Sequence, residues 1–310
     1  MHYFRRLVSL ILAALLLIPA AYAEPYEHPY PDELQISVKT ETWASEAHGD
    51  VSVDLPDTIL DSVNASLRDA ASALFSQATA HTDCVIDMTA TYRVSGSAWA
   101  GFLLTGRAVL PGYTQDDTVI PDETAALYYD VQTYNMVTGA SLTLCDVFAE
   151  DSEAWGMIQD AAWDLLSGYY PDEERDEVAL AEMTSLHALK NCPFLPCAGR
   201  LLVPFPLQEI LPGHPQIAYL ILPYPDYRPL MLPQAQAETD NSSRPMIILT
   251  FDDGPTNNYT QTILTELAHY GASATFFCLG NSVIKYPDMV RREADFGHTV
   301  GAHSMTHENP

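Results

Sequence analysis

Met246-Ile247-Ile248-Leu249-Thr250-Phe251-Asp252-Asp253-Gly254-Pro255 joins six largely apolar residues to an abrupt polar break. A run of that length, apolar on both faces, reads as a buried strand of a parallel sheet. Working outward, Ile263, Leu264, Leu267 and Ala268 recur at helical spacing, which predicts a helix over 259–270 with Gly271 as its stop. Ala274 to Leu279 reads as a second strand. Pro287 opens a second helix, Gly297 ends it, and 298–301 reads as a third strand. The order β-α-β-α-β implies parallel strands joined by crossover helices.

In such a sheet the C-terminal strand ends carry the chemistry. Asp252 and Asp253 close the first strand there, although Asp-Asp-Gly-Pro is also good turn chemistry. His303-Ser304-Met305-Thr306-His307 follows the third strand at the equivalent end. Two imidazoles four apart on a helical turn can face one metal ion. Imidazole with carboxylate suits zinc, cobalt or nickel. The two ends together offer three ligands, a free carboxylate and open positions for water, the layout of a metal hydrolase. Ser304 and Thr306 are placed to orient the loop.

Thr250 to Pro255 and His303 to His307 resemble the first and second motifs of the polysaccharide deacetylases, the NodB-homology or carbohydrate esterase family 4 group. Ala274-Thr275-Phe276-Phe277, Gly280-Asn281, Tyr286-Pro287 and Gly297 to Gly301 resemble the stretch between them. The likeness covers residues 246–310, about a fifth of the chain. It implies a distorted (β/α) barrel and metal-dependent removal of acetyl groups from N-acetylated sugars. Carried over by position, it implies Asp253, His303 and His307 as ligands of a divalent metal ion, zinc first, and Asp252 as general base. His298 lies outside the motif and reads as structural.

The family's later motifs, Arg-x-Pro-Tyr, Asp-Trp and Leu-x-His, do not occur after His307. The expected fold class is therefore an α+β N-terminal domain followed by an incomplete (β/α) barrel of the NodB type, truncated at its C-terminus. Negligible turnover is expected of these 310 residues alone. The expected reaction is N-deacetylation of a polysaccharide, with peptidoglycan ahead of chitin-like glycans. The competing reading is an exported cell-wall binding module with a non-catalytic deacetylase stub.

Upstream, the expected domain spans 24–232. Strands are predicted at 35–41, 84–94, 101–110, 125–135, 200–204 and 216–222. Helices are predicted at 57–77, with Leu60, Val63, Leu67 and Leu74 on one face, and at 152–166. Thr138 to Phe148, Leu202 to Leu207 and Ile221 to Tyr224 resemble, more weakly, the accessory domains that precede such deacetylases in bacterial envelope proteins. The aromatics Tyr128, Tyr129, Tyr134, Trp155, Trp163, Tyr169 and Tyr170 read first as core and second as sugar-stacking surfaces. The polar, Pro-bounded segment 233–245 reads as a linker.

The chain carries 41 Asp plus Glu against 14 Lys plus Arg, a net charge of −27. Without a basic patch, nucleic acid is excluded as a partner. Arg5-Arg6, an uncharged run from Leu7 to Ile18 and Ala21-Tyr22-Ala23 read as a signal peptide over 1–23, placing the protein outside the cytoplasm. That run is short of the ~20 residues a span needs, so no membrane span is expected after cleavage. Five cysteines cannot all pair internally. Cys192 and Cys197 either close a small loop or are unrelated, and Cys278 reads as core.

Overall fold

The computed structural model describes residues 34–115, 118–120, 122–240, 247–257 and 259–308. The expected signal peptide lies outside them. No helix among the described residues is long and apolar enough to cross a membrane.

The N-terminal module is α+β. Strands β1 (Ser37–Ser45), β2 (Gly49–Asp57), β3 (Val85–Ser95), β4 (Trp99–Leu110), β7 (Glu123–Asn135) and β8 (Ala140–Ser141) form one sheet in the order β1-β2-β3-β4-β7-β8. A two-stranded ribbon of β5 (Tyr113–Gln115) and β6 (Thr118–Ile120) extends the β4–β7 connection. Pairing is antiparallel except between β2 and β3, which meet in parallel at Val53 and Met88. Helix α1 (Asp61–Ala78) crosses one face, burying Val63, Leu67, Ala71 and Leu74 against Val53, Met88, Phe102 and Leu104. This is the face that the 3.6-residue spacing marks in the sequence.

The other face is covered by β9 (Leu195–Cys197), β10 (Arg200–Pro206) and β11 (Ile217–Pro223), ordered β11-β10-β9. Leu103, Leu127 and Val131 meet Leu195, Leu202 and Ile217 there. Strand β4 lies between β3 and β7 and under both layers, so Trp99 to Ala108 are all buried. The close approach explains Gly101, where a Cβ would lie 2.6 Å from Pro196 Cδ and 2.8 Å from the Phe194 carbonyl. A second core joins β10 and β11 to helix α2 (Ala154–Gly168) through Ile158, Ala162, Leu166, Leu201, Leu220 and Leu222.

Several short helices went unread in the sequence. α3 (Glu177–Met183) and α4 (Leu186–Lys190) start at the side-chain caps Asp176 and Ser185. α5 (Pro233–Glu238) falls in the segment read as a linker. Its Ala235 is buried, and Glu238 accepts from the amides of Ser97 and Ala98, so ordered structure continues into that segment. Strands β1 and β2 form a long hairpin of which only 35–41 was foreseen. All five cysteines are free thiols, so Cys192 and Cys197 follow the unpaired alternative. Of the aromatics, Tyr134 and Trp155 are core, while Trp163 is 42% exposed.

The C-terminal segment is a three-stranded parallel sheet, β12 (Thr250–Gly254), β13 (Thr275–Cys278) and β14 (Thr299–Ala302), in that order. Helices α6 (Tyr259–His269), α7 (Gly280–Lys285) and α8 (Pro287–Asp295) connect the strands. Leu264, Leu267, Phe276, Cys278, Met289 and Phe296 form its core. This is the β-α-β-α-β order expected from the sequence, with all three strands parallel. The first strand differs from expectation. It begins at Thr250 and contains Asp252 and Asp253 rather than preceding them, and Ile247 and Ile248 are 78% and 86% exposed. The reason is position: β12 is an edge strand paired only with β13 among the described residues.

Candidate metal centre

The site sits where β12, β13 and β14 end together. Asp252 pairs with Phe277, and Phe277 with Gly301, so these three share one face of the sheet. The β12–β13 register then slips between Asp252 and Gly254. Asp253 is the extra residue, with φ of 68°. A bulge of this kind turns a side chain away from the strand's alternation. Leu279 N donates to the Gly254 carbonyl at 2.9 Å and fixes the strand end beyond the bulge.

β14 delivers His303, whose amide donates to the Cys278 carbonyl at 2.9 Å. The following loop is not the helical turn that the spacing of the two histidines predicts. Ser304 and His307 both adopt left-handed backbone, with φ of 65° and 61°. Ser304 Oγ accepts from the His307 amide at 3.0 Å. The amides of Gly280 and Asn281 at the start of α7 donate to the carbonyls of Ser304 and Met305 at 3.0 and 3.2 Å. The loop is thus pinned by backbone bonds, and the imidazoles converge through left-handed residues instead of through helical periodicity. Nothing in the sequence signalled the part played by Gly280 and Asn281 beyond their place in the family likeness.

His303 Nε2 lies 3.4 Å and His307 Nε2 3.6 Å from Asp253 Oδ1. One ligand atom from each of the three residues falls within 4.8 Å of the others. Metal–ligand bonds of about 2.0–2.1 Å at tetrahedral angles place neighbouring ligand atoms about 3.4 Å apart. The spacing and the donor set, two imidazoles and a carboxylate, therefore fit a divalent cation such as zinc. The side chains of Asp253 and His307 are 57% and 62% exposed, which leaves the centre open to a large substrate.

His298 does not join this group. It is buried on the helix side of β13, where its Nδ1 accepts from the Ala274 amide at 3.4 Å and its ring tilts on Phe276. Burial, with Arg93 and Arg200 nearby, lowers its pKa to about 3. A neutral imidazole in that position is part of the packing.

Residues 239–310 match the polysaccharide deacetylase family model. A peptidoglycan-N-acetylglucosamine deacetylase of Bacillus cereus is 47% identical over 73 residues, which is 24% of this chain and 26% of that protein. A chitooligosaccharide deacetylase of Rhizobium leguminosarum bv. trifolii is 54% identical over 61 residues, 20% of this chain and 28% of that one. A solved member of the DUF3298 family from Bacteroides fragilis is 12% identical, covers 67% of this chain and 98% of its own, and has a TM-score of 0.40. The C-terminus of the chain therefore carries polysaccharide deacetylase sequence. It spans about a quarter of the length of these two curated relatives.

Proposed function

We propose that the chain carries the metal centre of an extracytoplasmic, metal-dependent polysaccharide N-deacetylase, with peptidoglycan as the favoured glycan and negligible turnover by these 310 residues alone. The observation that carries this reading is the convergence of Asp253, His303 and His307 at the strand ends of a segment matching the deacetylase family. The names of the two relatives, one acting on peptidoglycan and one on chito-oligosaccharide, support an N-acetylated sugar as the substrate.

In this reading Asp253, His303 and His307 hold the cation. A divalent cation supplies Lewis acidity there, polarising an acetyl carbonyl and making water a stronger acid. Asp252, next in the chain to a ligand and on the face shared with Phe277 and Gly301, takes the proton from the attacking water. The exposed side chains of Asp253 and His307 leave the centre accessible to a polymeric substrate.

The division of labour is testable. Zinc titration calorimetry on Asp252→Asn should return the parent affinity, because Asp252 is not a ligand. Asp253→Ala should lose it. Loss of zinc binding in Asp252→Asn contradicts the assignment. Co-sedimentation with insoluble peptidoglycan then separates this function from the binding-module alternative. Retention that falls with a chelator and in Asp253→Ala supports the deacetylase site. Retention indifferent to both supports a binding module with a non-catalytic stub.

A further inference from the structure

The seam between the N-terminal module and the C-terminal segment contains a buried ion cluster. Arg107 on β4 has a side-chain exposure of 0%. Its guanidinium donates from Nη1 to Asp295 Oδ2 at 2.7 Å and from Nη2 to Asp288 Oδ1 at 3.0 Å. Both carboxylates belong to α8. Thr124 on β7 bonds both Arg107 and Asp288. Asp295 Oδ1 also accepts from the Ile217 amide on β11 at 2.9 Å, and its carbonyl accepts from the Tyr219 hydroxyl. One residue on, the Phe296 carbonyl accepts from Arg93 Nη2 at 3.0 Å. Arg292 of α8 donates to Asp87 of β3 at 2.5 Å.

Four strands of the N-terminal module therefore bond the short stretch from Asp288 to Phe296. That stretch runs through Gly297 and His298 directly into β14 and His303. The apolar contacts of Met289 and Phe296 hold α8 to its own sheet but carry no direction. A forked guanidinium between two carboxylates does carry direction. Desolvating three charges is expensive, so the cluster's contribution is geometric definition more than stability.

We infer that Arg107 is a positioning residue for the metal centre. By fixing α8 against the N-terminal module, it sets where β14 delivers His303 and His307. The N-terminal module is then a structural part of the site. The inference rests on the metal reading above, and its test is chosen to fail separately.

Four proteins are compared: the parent, Arg107→Met, the charge-neutral Arg107→Met/Asp288→Asn/Asp295→Asn, and Arg68→Met as a control on the exposed Arg68–Glu41 pair. Zinc affinity is measured by calorimetry, and amide hydrogen exchange is followed over residues 296–303. Both cluster variants should bind zinc about tenfold or more weakly, the scale found for groups that orient ligands. Their 296–303 amides should exchange faster while those of α1 keep the parent rate, and Arg68→Met should match the parent. Arg107→Met strands two buried carboxylates and can fail to fold for that reason alone. The charge-neutral variant lacks that penalty. A folded charge-neutral variant with parent zinc affinity and parent exchange overturns the inference. Failure of both variants to fold also counts against it, since Arg107 would then be simply structural. A parent that binds no zinc refutes the metal reading, while the exchange data still decide whether Arg107 orders the segment.

Discussion

Glu293 on α8 is fully buried beneath the sheet. The Cys278 thiol donates to its Oε2 at 3.3 Å, and Oε1 has no partner among the described residues. Burial pushes its pKa up from 4.5 to about 7. The folded protein therefore holds this proton more tightly than the unfolded chain, so its stabilising effect is complete below about pH 4.5 and is lost as pH rises toward 7. Asp295 behaves in the same sense over a lower window, raised from 3.8 to about 6 by burial against the opposing pull of Arg107. His298 has the opposite sign. Its pKa falls from 6.5 to about 3, so stability is lost as pH drops through that window. Glu293→Gln should remove the loss of stability between about pH 6 and 7, above the Asp295 window. It should raise stability at pH 8 by roughly 1–3 kcal/mol. Urea unfolding of parent and variant at pH 5 and pH 8 checks this, and identical pH dependence in the two proteins refutes it.

Two glycines show how elements set the sign of one substitution. Gly101 lies in the doubly covered strand β4 with backbone 2.8 Å from where a Cβ would sit. Gly101→Ala should cost about 1–3 kcal/mol by overpacking. Gly156 lies in α2 with nothing within 4 Å. Gly156→Ala should gain about 0.4–1 kcal/mol by restricting the unfolded chain. Paired thermal melts decide the point, and equal shifts would contradict the packing described. Elements were legible where periodicity was long. Leu60, Val63, Leu67 and Leu74 announced α1, and the apolar run through Ala274 to Leu279 announced β13. They were illegible where tertiary contacts supply the order. Strand β2 carries Gly49, Asp50, Asp54 and Pro56, poor strand formers that the hairpin with β1 holds extended. Helix α5 looked like a linker because its stability comes from Glu238 bonding the β3–β4 turn, a contact far off in sequence. At the site, residue types and strand ends were readable. The left-handed residues that bring the imidazoles to Asp253 were not, since serine and histidine announce that conformation far less clearly than glycine does.

At the scale of the whole molecule, 41 acidic groups face 14 basic ones, and several of the bases are committed to buried or interface pairs. The surface field is strongly negative and repels itself. Thermal stability should rise as salt increases from about 0.02 to 0.5 M, over which screening shortens from tens of Å to a few. A fall in midpoint across that range would contradict this charge balance. The same field draws cations toward the open strand ends where Asp253, His303 and His307 meet. The most direct measurement is calorimetric titration of the metal-free protein with zinc, repeated on Asp253→Ala and His303→Ala. The account predicts one tightly held ion per chain in the parent and none in either variant. Binding that persists unchanged in both variants, or a parent that takes up no ion, would contradict it.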